Sequence, residues 1–307
     1  MAKDKKIHVG GQAVIEGVMM RAPEMFSIAV RKPDGKIVLK QEKYISWTKR
    51  VKALGWPFIR GGVILIESMV LGIRALNFSG EIAMEEDEKE GGKTKEGGRP
   101  PIYMALTLLV ALALGFGLFF FLPLLLTELT GVENGVIFNL IDGGFRLSFF
   151  LIYLFAISQW KEIRRIFEYH GAEHKSIFAF EDGKPLHLDA IQPYKTFHPR
   201  CGTSFLLVVM LVSILTFMML GRPEQMSDRL IRFLFIPVIG GLSYEVIKLS
   251  STPAGRKISS ILVAPGLWLQ RITTREPDSD QLEVAVIALK GALEMDIPDS
   301  VERVTAV

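Results

Sequence analysis

Between Ile102 and Leu126 the chain carries no charge, over a length that crosses a lipid hydrocarbon core with some tilt. In lipid the backbone must satisfy its own hydrogen bonds, so such a run folds as a helix. Three further runs follow. Val136 to Ser158 is interrupted by Asn139, Asp142 and Arg146, and Ser204 to Leu220 is uncharged. Leu230 to Lys248 is the most polar, with Arg232 near its start and Glu245 and Lys248 near its end. A hydrophobic share of 49% and a mean hydropathy of +0.31 fit a mainly α integral membrane protein with about four transmembrane helices.

Charge distribution orients these spans. The loop 127–135 has no Lys or Arg and 221–229 is balanced. Lys161, Arg164, Arg165, Lys175, Lys184, Lys195 and Arg200 lie between spans two and three, and Arg256, Lys257, Arg271 and Arg275 follow span four. The positive-inside bias therefore predicts a multi-pass protein with both termini and the central loop cytoplasmic. The start reads as lacking the apolar h-region of a cleavable signal. The single cysteine, Cys201, allows no intrachain disulfide, and a net charge of +3 gives no reason to expect nucleic acid as a partner. The expected partners are the lipid bilayer and further copies of the chain in a homo-oligomer.

The first hundred residues are textured differently. Phe26 to Tyr44 alternates around Pro33-Asp34-Gly35-Lys36, a turn sequence, which predicts a β-hairpin in a cytoplasmic β-rich region spanning 1–55. Trp56 to Phe78 is apolar except for Arg60, Glu67 and Arg74 at seven-residue intervals, one stripe of a helix. That pattern suits an interfacial or membrane-associated helix over 56–80 better than a fifth crossing. Residues 81–101, rich in Glu, Lys and Gly, read as a flexible charged tether. The transmembrane hairpins are expected at 102–158 and 204–248, with a cytoplasmic loop at 159–203. The remaining 249–307 is a cytoplasmic segment with a short amphipathic helix over Asp280–Met295.

The stretch that carries chemistry is His170-Gly171-Ala172-Glu173-His174. On a helix, two imidazoles four residues apart share a face and can hold one divalent metal, most simply zinc. The adjacent Glu173 is then the candidate catalytic base toward a water polarised by that metal, the logic of H-x-x-E-H peptidases. A second cluster, Phe197-His198-Pro199-Arg200-Cys201-Gly202-Thr203, precedes the third span on the same membrane face. A third ligand would come from His198, Cys201 or Glu245. The plain alternative is a pair of histidines on the buried face of a helix, hydrogen-bonded to carbonyls. Glu16, Arg21, Asp142, Arg146 and Arg200 are candidates for substrate contact or for structural pairing. Asp142 and Arg146 are spaced to pair on one helix face, and charge at that depth often marks a pathway. Gly10-Gly11 and Gly17 around Glu16 and Arg21 read as a structural turn beneath the hairpin.

The segments Gly10–Arg21, Tyr169–Lys175 and His198–Ser204 together resemble the YqhQ-like family, bacterial membrane proteins of unknown function catalogued as predicted metal-dependent enzymes. The resemblance runs over nearly the whole chain, to the region of Arg275-Glu276-Pro277-Asp278. It implies a bacterial cytoplasmic membrane location and says that the His and Cys clusters belong to one pattern. Two readings follow from the residues. One is a metal-dependent hydrolase acting at the cytoplasmic membrane face. The other is a non-catalytic oligomeric pore, transporter or assembly scaffold, in which Arg60, Glu67, Arg74, Asp142 and Arg146 line a path and any metal is structural.

Overall fold

The structure, a computed structural model, describes residues 7–57, 59–90, 101–199, 201–250 and 256–305. In chain order, the strands β1 (Gly10–Val14), β2 (Gly17–Arg21), β3 (Met25–Arg31) and β4 (Ile37–Lys43) lead into α1 (Trp47–Arg50) and α2 (Ile59–Glu90). Then come α3 (Pro101–Phe116), a π-helical turn (Gly117–Phe121), α4 (Leu122–Leu129), α5 (Gly135–Ile157), α6 (Lys161–Glu181) and α7 (Leu188–Ile191). The chain continues through α8 (Gly202–Leu220), α9 (Met226–Leu234), α10 (Ile236–Ser250), α11 (Arg256–Thr273) and α12 (Ser279–Ala292), and ends on β5 (Glu302–Thr305).

Strand order follows the sequence, antiparallel from β1 to β4, with β5 added parallel to β4. The β3–β4 hairpin turns at Gly35, whose φ is +87°. Gly10 to Arg21, expected as a turn, is itself a hairpin that reverses through Ile15-Glu16, with Glu16 at φ +50°. Gly17 is required beside that turn, since a Cβ there would stand 2.3 Å from the Ala29 carbonyl oxygen.

Side chains alternate across the sheet with period two. Val18, Met20, Ala29, Ile37 and Leu39 face α12 and α6, whereas Met19, Phe26, Ile28, Val30 and Val38 face Leu71, Ala75 and Ile82 of α2. The sheet is thus the middle layer between helices. This placement corrects the amphipathic reading of α12. Between the sheet and α6, Val284, Ala285, Ile287 and Ala288 are as buried as Leu282 and Leu289, leaving only its ends and Glu283 toward the outside. Asp278 and Gln281 form its capping box.

Among the described residues, four helical stretches are long and apolar enough to cross a membrane: Leu109–Leu129, Gly135–Ile157, Gly202–Leu220 and Met226–Leu249. Most of their apolar surface faces outward, as lipid contact requires. Where spans touch, small residues permit close approach; a Cβ on Gly143 of α5 would meet Ile214 of α8 at 2.4 Å. Two polar pairs lie inside the spans. Arg146 Nε donates to Asp142 Oδ2 at 2.8 Å, and buried Arg232 donates to Asn139 Oδ1 at 2.9 Å.

The helix expected over 56–80 is α2, which lies outside those four candidate spans and continues through residues assigned to the tether as far as Glu90. Residues 91–100 of that tether lie outside the described residues. The three charges spaced along α2 do not form one solvated stripe. Arg60 is bidentate to Glu245 at 2.7 and 2.6 Å, and Glu67, 1% exposed, accepts from Ser46 Oγ and the Trp47 N–H; Arg74 is exposed. Gly61 packs against Gly241 and Tyr244 of α10, so α2 joins the sheet to the fourth span. The helix expected to run on from span two breaks at Ser158–Trp160, and α6 restarts at Lys161.

Two substitutions test this layering. Leu289→Ala should destabilise the detergent-solubilised protein by about 2–5 kcal/mol, whereas Leu215→Ala, on an outward-facing side of α8, should stay within about 0.5 kcal/mol; thermal unfolding followed by tryptophan fluorescence reads both. Gly171→Ala would place a Cβ 2.0 Å from the Arg275 carbonyl oxygen. It should loosen the segment after α11, detected as new protease cleavage between residues 273 and 279. Unchanged cleavage would contradict the packing of that segment on α6.

Candidate metal centre

Three chain segments converge on the His-x-x-Glu-His stretch. The i, i+4 spacing on α6 sets the rings of His170 and His174 side by side, centroids 4.4 Å apart. Each ring is fixed from behind. His170 Nδ1 lies 2.7 Å from the Thr273 carbonyl oxygen at the end of α11, and His174 Nδ1 bonds the Thr196 carbonyl oxygen. A carbonyl only accepts, so both Nδ1 atoms carry the proton and both Nε2 atoms are left with free lone pairs.

Those lone pairs meet Cys201, the N-cap residue of α8. Its Sγ is 3.2 Å from His170 Nε2, and one ligand atom from each of His170, His174 and Cys201 falls within 4.8 Å of the others. His174 Nε2 is buried and has no hydrogen-bond partner, an orphaned acceptor of the kind a metal ion satisfies. Zinc bonds near 2.0–2.1 Å to nitrogen and 2.3 Å to sulfur place tetrahedral ligands about 3.3–3.6 Å apart. The donor set fits such an ion with small side-chain adjustment. Carbonyl-anchored imidazoles are also the usual outer support of metal-ligating histidines.

Glu173 is 5% exposed, with Oε2 3.9 Å from His170 Nε2. Burial pushes its carboxyl above the usual range, against the opposing pull of His170 and of the Gly11 N–H that bonds it. Gly11 is needed for this contact, because a Cβ there would lie 2.8 Å from Glu173 Cγ. The Gly-Gly-Gln opening of the chain therefore reaches the His cluster through β1.

The other candidates are placed elsewhere. Glu245 is held by Arg60 and lies outside the cluster. The His198 ring is 5.6 Å from that of His174, and its Nε2 is 3.6 Å from Glu181 Oε2. Glu16 is bound by Arg165 and by the Tyr169 hydroxyl at 3.3 Å, fixing the β1–β2 turn on α6. Arg21 borders a cavity beside Gly11. Asp142 and Arg146 pair within the second span, and Arg200 lies outside the described residues.

Sequence reasoning missed the groups that orient the site. Thr196 and Thr273 act through their backbone carbonyls, which leave no side-chain signature. Gln270, fully buried on α11, accepts from the His198 N–H at 2.8 Å and donates to its carbonyl at 2.9 Å, clamping the loop that leads to Cys201.

Residues 56–295 match the family model described as Protein of unknown function (DUF1385). The chain is 33% identical over 303 residues to the uncharacterized protein YqhQ of Bacillus subtilis (strain 168), covering 94% of this chain and 92% of that protein. No solved structure matches. On the extent of these matches, the chain belongs to the DUF1385 family, a family of unknown function.

Proposed function

We propose that this protein is a zinc-dependent hydrolase of the bacterial cytoplasmic membrane, working at the cytoplasmic face with both termini on that side. The observation that carries the reading is the paired anchoring of His170 and His174 by carbonyls, which aims two Nε2 lone pairs at Cys201 Sγ. Three protein ligands leave one position open, the arrangement of catalytic zinc sites. When bound, the metal supplies a positive charge that stabilises the oxygen on which negative charge develops. The chain's own residues do the rest. His170 and His174 hold the site rigid through their Nδ1 protons, while buried Glu173 stands beside His170 as the group that takes and returns a proton.

A closed structural site is the reading favoured by the sulfur ligand, since thiolate shells tend to be complete. It needs a fourth side chain, and His198 is the nearest imidazole. The charges suggested for a pore are internally paired at Arg60–Glu245 and Asp142–Arg146, which supports a structural role for them.

The test is metal analysis of full-length protein purified without chelators. The wild type should carry about one zinc per chain, and His170→Ala, His174→Ala and Cys201→Ser should each lose most of it. Glu173→Gln should keep the metal and slow hydrolysis of chromogenic esters by about 10²–10⁴-fold. A wild type without stoichiometric metal sinks the proposal, and full hydrolysis by Glu173→Gln assigns the site a structural role.

A further inference from the structure

A cavity of about 630 Å³ lies where β1, the end of β2, α1 and α2 meet Tyr244 of α10. One residue relates it to the His and Cys cluster. Gly11 lines the cavity on one side and contacts Glu173 on the other, so the carboxyl is separated from the cavity only by a backbone that carries no side chain.

Its lining has a definite charge. Arg21 and Lys49 contribute permanent cations, and none of the lining residues is a carboxylate. The Arg21 guanidinium lies over the Tyr44 ring at 4.5 Å and stands 3.8 Å from Glu67, beyond hydrogen-bonding distance. Glu67 is meanwhile satisfied by Ser46 and the Trp47 N–H, so the planar fork of Arg21 donors remains available to an oxyanion. The Lys49 amine has a 3.4 Å contact to the Pro23 carbonyl oxygen. Glu67 offsets one positive charge, and Lys49 keeps the lining cationic. Gln12, Ser68 and Tyr244 add neutral polar groups.

The position of the cavity selects among oxyanions. Tyr244 belongs to the fourth span, and Gly61 of α2 packs on it. Val9, Met19 and Leu71 add apolar side chains to the same lining. A cationic recess next to a transmembrane helix and partly walled by apolar side chains matches a charged headgroup with an apolar chain attached.

We propose that this cavity binds the phosphate headgroup of a membrane amphiphile, held by Arg21 and Lys49. Resting on the hydrolase reading above, the headgroup lies on the α2 side of the edge strand β1, with Gly11 between it and Glu173.

Calorimetric titration of the full-length protein in a non-ionic detergent tests the assignment, with dioctanoyl phosphatidic acid, dioctanoyl phosphatidylcholine and inorganic phosphate as probes. Phosphatidic acid should bind at least about tenfold more tightly than either of the others. Lys49→Gln, a change at an exposed position, and Arg21→Gln should each weaken it about tenfold, while Arg21→Lys, which keeps the charge and loses the fork, should fall between wild type and Arg21→Gln. No binding of phosphatidic acid, or binding indifferent to both neutral substitutions, overturns the proposal. Equal affinity for inorganic phosphate overturns the amphiphile and assigns the cavity to the free anion. His170→Ala should lose zinc and still bind phosphatidic acid. Binding by a wild type that carries no zinc would uphold the cavity and reject the hydrolase.

Discussion

The hydrogen bonds from two imidazoles to two main-chain carbonyls are the constraint around which the part of this protein outside the candidate spans is arranged. His170 and His174 come from one helix, but the carbonyls of Thr273 and Thr196 come from segments far along the chain and on either side of the third and fourth spans. Each must arrive within hydrogen-bonding distance for the rings to settle as Nδ1–H tautomers. The supporting contacts follow from that requirement. Gly171 lets the Arg275 backbone lie against α6, the Arg275 N–H donates to the Phe167 carbonyl oxygen at 2.9 Å, and Gln270 clamps the backbone at His198. The transmembrane helix α8 is thereby tied to the same centre through the segment that leads into it.

The sheet extends this dependence to the two ends of the chain. β1 brings Gly11 to Glu173, and β5 closes the far edge on β4, while α12 fills the space between the sheet and α6. A helix with such complete burial has no solvent face to be amphipathic about; its sequence is mostly Val, Ile, Leu and Ala because both sides meet packed neighbours. On the opposite side of the sheet α2 plays a mixed part, apolar toward the strands and joined to the fourth span by the Arg60–Glu245 pair and the Gly61 contact.

How legible this was depended on the range of the signal. The four spans could be read because length and hydropathy are local properties, and the β3–β4 hairpin because Pro33-Asp34-Gly35-Lys36 encodes its own turn. The β1–β2 hairpin was hidden: its turn, Ile15-Glu16, holds a non-glycine residue at positive φ that no turn rule favours. Strand β5 was invisible because four residues gain their identity only by pairing with β4 at a separation of more than 250 positions. In the centre, the i, i+4 histidines announced themselves, and Cys201 was one of three candidates for the next place. Choosing among them needed the fold, since Glu245 had an Arg60 partner nearly two hundred residues away that sequence spacing did not reveal.

The sulfur's position has a consequence for the chemistry of the centre. Cys201 caps α8 at the start of a span, where the Thr203 N–H approaches its Sγ at 3.4 Å. The start of α8 thus offers a backbone donor to this sulfur from the protein side. His170, His174 and Cys201 are the residues that would hold a divalent ion here; it would supply positive charge to a developing oxyanion, and Glu173 would be the neighbouring group able to exchange a proton. The choice of cysteine thus couples the electrostatics of the centre to the position of a transmembrane helix, and motion of that helix would be felt directly at the site.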